Sequence, residues 1–162
     1  MEMKDSGKRQ QFEGGAVRDT AEGKPPYSLL PPYVWQYLPH GKWVTHFLLS
    51  RDVSYLDLLD IELLDTYGYD RLVRWLELGS KKYARFNWAL GMGVSRCLDS
   101  LGRHLEALLK RKDDEDHAAA AMCNVSFIIH YLREIEAGRL DPKWNDLFDF
   151  NLYKQERVPN GN

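Results

Sequence analysis

Four consecutive acidic residues, Asp113-Asp114-Glu115-Asp116, separate two long segments with apolar residues at helical spacing. Ser95 is placed to cap a helix over 96–112, and the acids suit the positive N-terminal end of a second helix over 114–137. Gly138 supplies its stop. The run Ala118–Ala121 removes side-chain bulk and so lets a neighbouring helix approach closely. Two such helices across a tight turn make an antiparallel pair. No internal repeat and no convincing strand accompanies them. The expected fold class is therefore all-α, a helical bundle built on an antiparallel helical hairpin, with an irregular N-terminal arm.

The rest of the chain fits around that pair. Its 162 residues suffice for one domain with a real core. Residues 1–26 are rich in charge, glycine and proline and read as a flexible arm, residues 27–140 as the helical domain, and 141–162 as a tail with a short aromatic segment. Pro31 and Pro32 suit a helix entry into 33–38. Apolar pairs over 43–66 predict one or two helices, interrupted near Ser50-Arg51-Asp52. Asp70 can cap a helix over 71–78 that Gly79 ends. Residues 81–93 read as irregular, held by Tyr83, Phe86 and Trp88.

Charge and cysteine content narrow the function. With 22 basic and 24 acidic residues the net charge is −2, which argues against binding a nucleic acid polymer, whose phosphates call for a basic excess. Cys97 and Cys123 lie in apolar helical patterns and read as buried thiols, with no zinc-type spacing. A reducing cytoplasm is the simplest setting. The polar start of the chain has no apolar signal core, and no run reaches the roughly 18 apolar residues of a membrane span.

Chemistry-bearing residues concentrate between Gly79 and Asn124. His117, Ala121, Asn124 and Ile128 share one helical face, and Asp99, Arg103 and Glu106 share another, with His104 one step around. Counting outward from the turn, His104 and His117 are offset by roughly 7–8 Å at 1.5 Å per residue. With an acidic turn residue they can share a metal or a bound phosphate; as a cap, a packing residue and a solvated helix start they need do neither. Asn124 sits in an apolar helix interior, where its amide must find partners. Lys81-Lys82-Tyr83 and Arg85-Phe86-Asn87-Trp88 interleave cations with aromatics, a pattern that clamps phosphates and stacks a base or simply anchors a loop. Arg18 and Lys24 lie in a glycine-rich arm that lacks the P-loop spacing. Asp57, Asp60, Glu62 and Asp65 carry the i, i+3 carboxylate spacing of helical magnesium sites, and equally that of a wet helix face.

The segments GAVRDTAEGKPPYSLLPP, GSKKYARFNWALG, DSLGRH and EDHAAAAMCN, in this order, resemble the phage and prophage family of dATP/dGTP diphosphohydrolases in their N-terminal domain. The resemblance runs from about Gly14 to Asn124, with a longer insertion near 41–69. It implies cleavage of a purine deoxynucleoside triphosphate to monophosphate and pyrophosphate, with Mg²⁺ or Mn²⁺, in phages that remodel host nucleotide pools, including those that replace adenine with 2-aminoadenine. The host cytoplasm is then the setting. Arg85-Phe86-Asn87-Trp88 departs from the family's G-x-RNW pattern. The hairpin also lacks the ExxE…ExxD signature of MazG-like pyrophosphohydrolases, reading Ala121-Met122-Cys123-Asn124 at the ExxD position.

On the residues and the resemblance together, Asp99, His104, Asp116 and His117 are the candidates for metal ligation, with His104, His117 and Asp116 also candidates for catalysis. Lys24, Lys81, Lys82 and Arg103 are the candidates for phosphate, and Tyr83, Asn87, Trp88 and Asn124 for the rest of the substrate. The competing readings are a nucleotide-binding protein that does not cleave its ligand and a structural protein. A homo-oligomer is expected, because a two-helix hairpin leaves apolar faces to cover.

Overall fold

The computed structural model describes residues 2–150. The described residues hold five α-helices: α1 (Gly41–Ser50), α2 (Ser54–Tyr67), α3 (Tyr69–Tyr83), α4 (Val94–Leu109) and α5 (His117–Glu136). Short 3₁₀ turns occupy Tyr27–Leu29, Pro32–Tyr37, Asn87–Leu90 and Pro142–Trp144. The tail expected over 141–162 is described only as far as residue 150; the remainder lies outside the described residues.

Helix α5 is the centre of the bundle, and α2, α3 and α4 all pack on it. Its alanine run is buried, which fits the close approach expected of small side chains. Leu98, Leu101 and Leu105 from α4, Leu56, Leu59 and Leu63 from α2, and Met122, Ile128 and Tyr131 from α5 form the heart of the core. Both ends of the hairpin are closed by the same device. At the end of α4, Lys112 N–H donates to Ala107 and Arg111 N–H to Leu108, with Arg111 at φ 53°. At the end of α5, Arg139 N–H donates to Glu134 and Gly138 N–H to Ile135, with Gly138 at φ 70°. Both satisfy the last helical carbonyls through a left-handed residue. Arginine fills the first such position, so the sequence carries no glycine to mark it.

Neither Ser95 nor Asp70 caps its helix: each is the second residue inside it, behind Gly93 and Gly68, and two further expectations need correction. First, α3 does not stop at Gly79 but runs to Tyr83, so 81–83 is helical. A mid-helix glycine costs only about 1 kcal/mol relative to alanine. The following turn is fastened by Lys81–Glu77 at 2.7 Å and by Lys82–Asp19 at 3.0 Å. Helix breaking falls instead at Ala84, whose φ is 117°. Second, the N-terminal arm contains a strand pair, β1 (Arg9–Gln11) and β2 (Val17–Asp19), antiparallel with Gln10 opposite Arg18. Gly14 lets its turn lie against the main chain: a Cβ there would sit 2.2 Å from the Leu90 carbonyl oxygen.

Candidate functional site

The side-chain amide of Asn87 pairs with the main chain of β2. Asn87 Oδ1 accepts from Val17 N–H at 2.7 Å, and its Nδ2 donates to the Val17 carbonyl at 2.9 Å. This docking delivers Arg18 to a cavity of about 630 Å³ bounded by α3, α4, α5 and the 84–88 segment. Arg18, Lys24, Lys82, Arg96, Arg103, His104, Tyr83, Asn87, Trp88 and Asn124 all line it. Seven of the eight residues expected to hold substrate are thus brought to one cavity. Lys81 is the exception; it lies exposed on α3, paired with Glu77.

Electrostatics distinguish this cavity. Arg18, Lys24, Arg96 and Arg103 line it, and none forms an ion pair with a carboxylate among the described residues. Arg18 instead donates to Asn124 Oδ1 at 2.9 Å and to Ser100 Oγ at 3.5 Å. Asn124 is fixed in turn by its Nδ2 donating to the Ala120 carbonyl at 2.7 Å. Arg96 donates to the Asp19 carbonyl at 3.2 Å, while its buried Nε has no partner. Burial and then the Arg18 charge push the Arg103 pKa down to about 10. Burial lowers Lys24 as well, with Arg103 and Arg96 adding to it beyond the opposing effect of Asp19. Arg103, Arg96 and Lys24 are thus each pushed toward the uncharged form by burial and by neighbouring cations, so an anion bound among them would gain what they lack. Lys82 differs, since its ammonium is spent on Asp19.

Part of the cavity lining is aromatic. Trp88 stacks on Phe127 with ring centroids 5.5 Å apart and planes 14° from parallel. Its carbonyl accepts from Tyr131 Oη at 2.5 Å, which fixes the segment to α5. Phe86 stands exposed at the rim with the Arg85 guanidinium 5.0 Å from its ring. Tyr83 is turned toward the hairpin: its hydroxyl donates to Asp19 at 3.2 Å and Arg9 covers its ring.

The histidines meet at the cavity edge. His104 Nδ1 and His117 Nδ1 are 3.0 Å apart, and His117 Nε2 lies 2.7 Å from Asp114 Oδ1. Burial, reinforced by His117, pushes the His104 pKa down to about 3, so its imidazole is neutral. Glu115 approaches the same point. The other two expected metal ligands are placed elsewhere. Asp116 caps α5 by accepting from Ala119 N–H at 3.0 Å and is gripped by Arg71 through contacts of 2.9 and 2.6 Å. Burial opposes its charge, but Arg71 and the cap hold its carboxyl below the usual range. Asp99 accepts from Ser28 N–H at 2.6 Å and so anchors the segment leading out of the arm.

Three of the four acidic residues on α2 are also occupied. Asp57 pairs with Arg133 at 2.5 Å, Glu62 accepts from Trp43 and faces His40 at 2.9 Å, and Asp60 accepts from Ser126 Oγ at 3.2 Å. None of them lines the cavity. Sequence reading passed over Arg96 and Glu115 as site residues and gave Arg18 only a weak part. Arg96 and Glu115 carry a latent signal, since each lies beside or within a motif already singled out. The placement of Arg18 depends on a contact spanning 106 residues.

Fold and site together define an all-α protein with a cationic, aromatic-walled cavity of nucleotide size. Comparison with known proteins agrees: the model of the family "dATP/dGTP diphosphohydrolase, N-terminal" matches residues 56–139, and the chain belongs to that family. That span holds most of α2 and all of α3, α4 and α5, whereas Arg18 and Lys24 precede it. A protein of Salmonella phage PMBT28 named dATP/dGTP diphosphohydrolase is 35% identical over 90 residues, which covers 52% of this chain and 30% of that protein. The chain thus corresponds to under a third of that relative's length. No solved structure matches. No helix among the described residues is long and apolar enough to cross a membrane.

Proposed function

We propose that the cavity binds a purine deoxynucleoside triphosphate and that the chain cleaves it to the nucleoside monophosphate and pyrophosphate. The observation that carries this reading is the convergence of Arg18, Lys24, Arg96 and Arg103 on one cavity without carboxylate partners among the described residues. Guanidinium groups hold phosphate oxygens in paired hydrogen bonds, so these side chains fit a polyphosphate better than any neutral ligand. The Trp88–Phe127 wall offers a flat apolar surface for the purine. Asn87 serves by holding the hairpin, and through it Arg18, over the phosphates.

In this reading a water attacks the α-phosphorus, the bond from that phosphorus to the bridging oxygen breaks, and pyrophosphate leaves with both electrons of that bond. The cations offset the charge that gathers on the leaving oxygen. His104 and His117, at the cavity edge, hold and orient the attacking water, whose proton passes to solvent. Asp116 contributes by setting the start of α5 and hence the place of His117. A divalent cation, Mg²⁺ or Mn²⁺, would neutralise phosphate charge when bound. Phage infection of a bacterium, with the host cytoplasm as the setting, suits a pathway in which dATP is withdrawn and dGMP is supplied for a modified purine.

A second reading is favoured by a specific observation. The carboxylates lining the cavity are engaged: Asp19 by Arg9 and Lys82, Glu77 by Lys81, and Glu115 by the Lys4 amide. Such a site suits a protein that holds the nucleotide without cutting it. Incubating the chain with each of the eight NTPs and dNTPs plus Mg²⁺ or Mn²⁺, resolving the products, and measuring binding by calorimetry separates the two. Pyrophosphate released from dGTP or dATP, and lost in Arg103→Met, supports cleavage. Binding with unchanged nucleotide supports the second reading. Neither binding nor turnover overturns both.

A further inference from the structure

We propose that His104, Glu115 and His117 form a resident site for a nitrogen-preferring divalent metal ion, of the Mn²⁺, Co²⁺ or Zn²⁺ kind, that fills without nucleotide. Each of the three offers one ligand atom, and these atoms all lie within 4.8 Å of one another. They come from three positions that the hairpin forces together: His104 from α4, His117 from the first turn of α5, and Glu115 from the connection between them. The two Nδ1 atoms, 3.0 Å apart, are close to the separation that two imidazoles adopt around one ion with metal–nitrogen bonds of about 2.0–2.1 Å.

The far side of His117 matches this use. With its Nε2–H donating to Asp114 at 2.7 Å, the Nδ1 lone pair is left pointing toward His104. A carboxylate behind a ligating histidine fixes the tautomer and raises its basicity. Asp114 is itself positioned by Lys4, which also donates its backbone N–H to Glu115 at 2.6 Å. Two imidazoles and one carboxylate are a poor set for Mg²⁺, which takes oxygen ligands, and a good one for the later divalent ions. His104 and Glu115 both line the cationic cavity, so the ion would sit at its edge. Asp99 and Asp116, each committed to another partner, stay out of the ligand set.

The test uses the full chain, stripped with a chelator and free of nucleotide, so its outcome does not depend on whether the nucleotide reading holds. Co²⁺ is titrated while visible absorption is followed, and Zn²⁺ and Mg²⁺ are titrated by calorimetry with melting temperature as a second readout. Expected are one Co²⁺ per chain with visible ligand-field bands, a rise in melting temperature with Zn²⁺ and Co²⁺, and little response to Mg²⁺. His117→Ala and His104→Ala should each weaken Co²⁺ binding at least 100-fold, and Asp114→Asn roughly 10-fold. Glu115→Gln, on the connection between α4 and α5 and outside both helices, keeps the test decisive should a histidine variant fail to fold. Absence of a Co²⁺ spectrum, unchanged affinity in these variants, or Mg²⁺ binding as tight as Zn²⁺ would overturn the site.

Discussion

The guanidinium of Arg18 and the side-chain amide of Asn124, 106 residues apart in sequence, meet at 2.9 Å in the cavity wall. Asn124 is immobilised by its bond to the Ala120 carbonyl, so its oxygen has a fixed direction. That direction sets where Arg18 presents its remaining N–H groups. A charge-assisted hydrogen bond is worth about 1.5–3 kcal/mol. Arg18→Met should therefore weaken triphosphate binding roughly 10- to 150-fold by calorimetry. Asn124→Leu should weaken it in the same direction even though Asn124 need not touch the ligand. Equal binding by both variants and the parent chain would remove Arg18 from the phosphate site.

Asn87 tests how the arm is held. Its amide exchanges two hydrogen bonds with the Val17 peptide, which fixes its plane against β2. Asn87→Ala should expose the Val17 amide and speed its hydrogen exchange roughly 5- to 150-fold, since losing both bonds frees about 1–3 kcal/mol of local stability. All nucleotides should then bind more weakly by a similar factor. A change in purine preference with Val17 exchange unaltered would assign Asn87 to base recognition instead.

Gly102 is the tightest point between α4 and the Tyr27–Leu29 turn. A Cβ there would lie 2.4–2.5 Å from Tyr27 atoms. Gly102→Ala should cost about 1–3 kcal/mol through overpacking and lower the melting temperature by roughly 2–10 °C. Combining it with Tyr27→Ala should be less harmful than the sum of the single changes, because one collision accounts for both.

The architecture around α5 was readable because its signals are local. The acidic run placed the turn, the alanines marked a close contact, and counting residues from Asp113 brought His104 and His117 within reach, which the 3.0 Å separation of their Nδ1 atoms matches. The strand pair was not readable. Arg9-Gln10-Gln11 is exposed and polar, and the strand it pairs with is held at Val17 by Asn87, seventy residues further along. Glu115 and Asp116 could not be told apart either. They are adjacent in one acidic turn, and only the local rotation of the chain sends one to the histidines and the other to Arg71.

The buried thiols give a pH dependence with a definite sign. Burial pushes the Cys97 thiol up to about 11 and the Cys123 thiol up to about 12, from an ordinary value of 9.0. In the unfolded chain both ionise near pH 9, while in the folded chain they keep their protons. The unfolded state then binds fewer protons, so stability falls as pH rises from about 9 toward 11–12. Replacing both residues with alanine should flatten that slope in denaturant melts between pH 8.5 and 10.5. At pH 8 neither thiol should react with an aromatic disulfide reagent until the protein unfolds.

Asp116 separates a structural carboxylate from a ligand. It accepts from Ala119 N–H and receives two contacts from Arg71, so both oxygens already have partners. Removing an N-cap typically costs about 0.5–2 kcal/mol, and the half-exposed ion pair adds a smaller amount. Asp116→Ala should lower the denaturation midpoint accordingly. Asp116→Asn, which keeps a capping oxygen, should recover a large part of that loss. Co²⁺ affinity in the folded Asp116→Asn protein should stay within about threefold of the parent, in contrast to the far larger loss expected when a ligand or its partner is replaced. Loss of the ion in Asp116→Asn with stability retained would return Asp116 to the metal site and displace Glu115 from it.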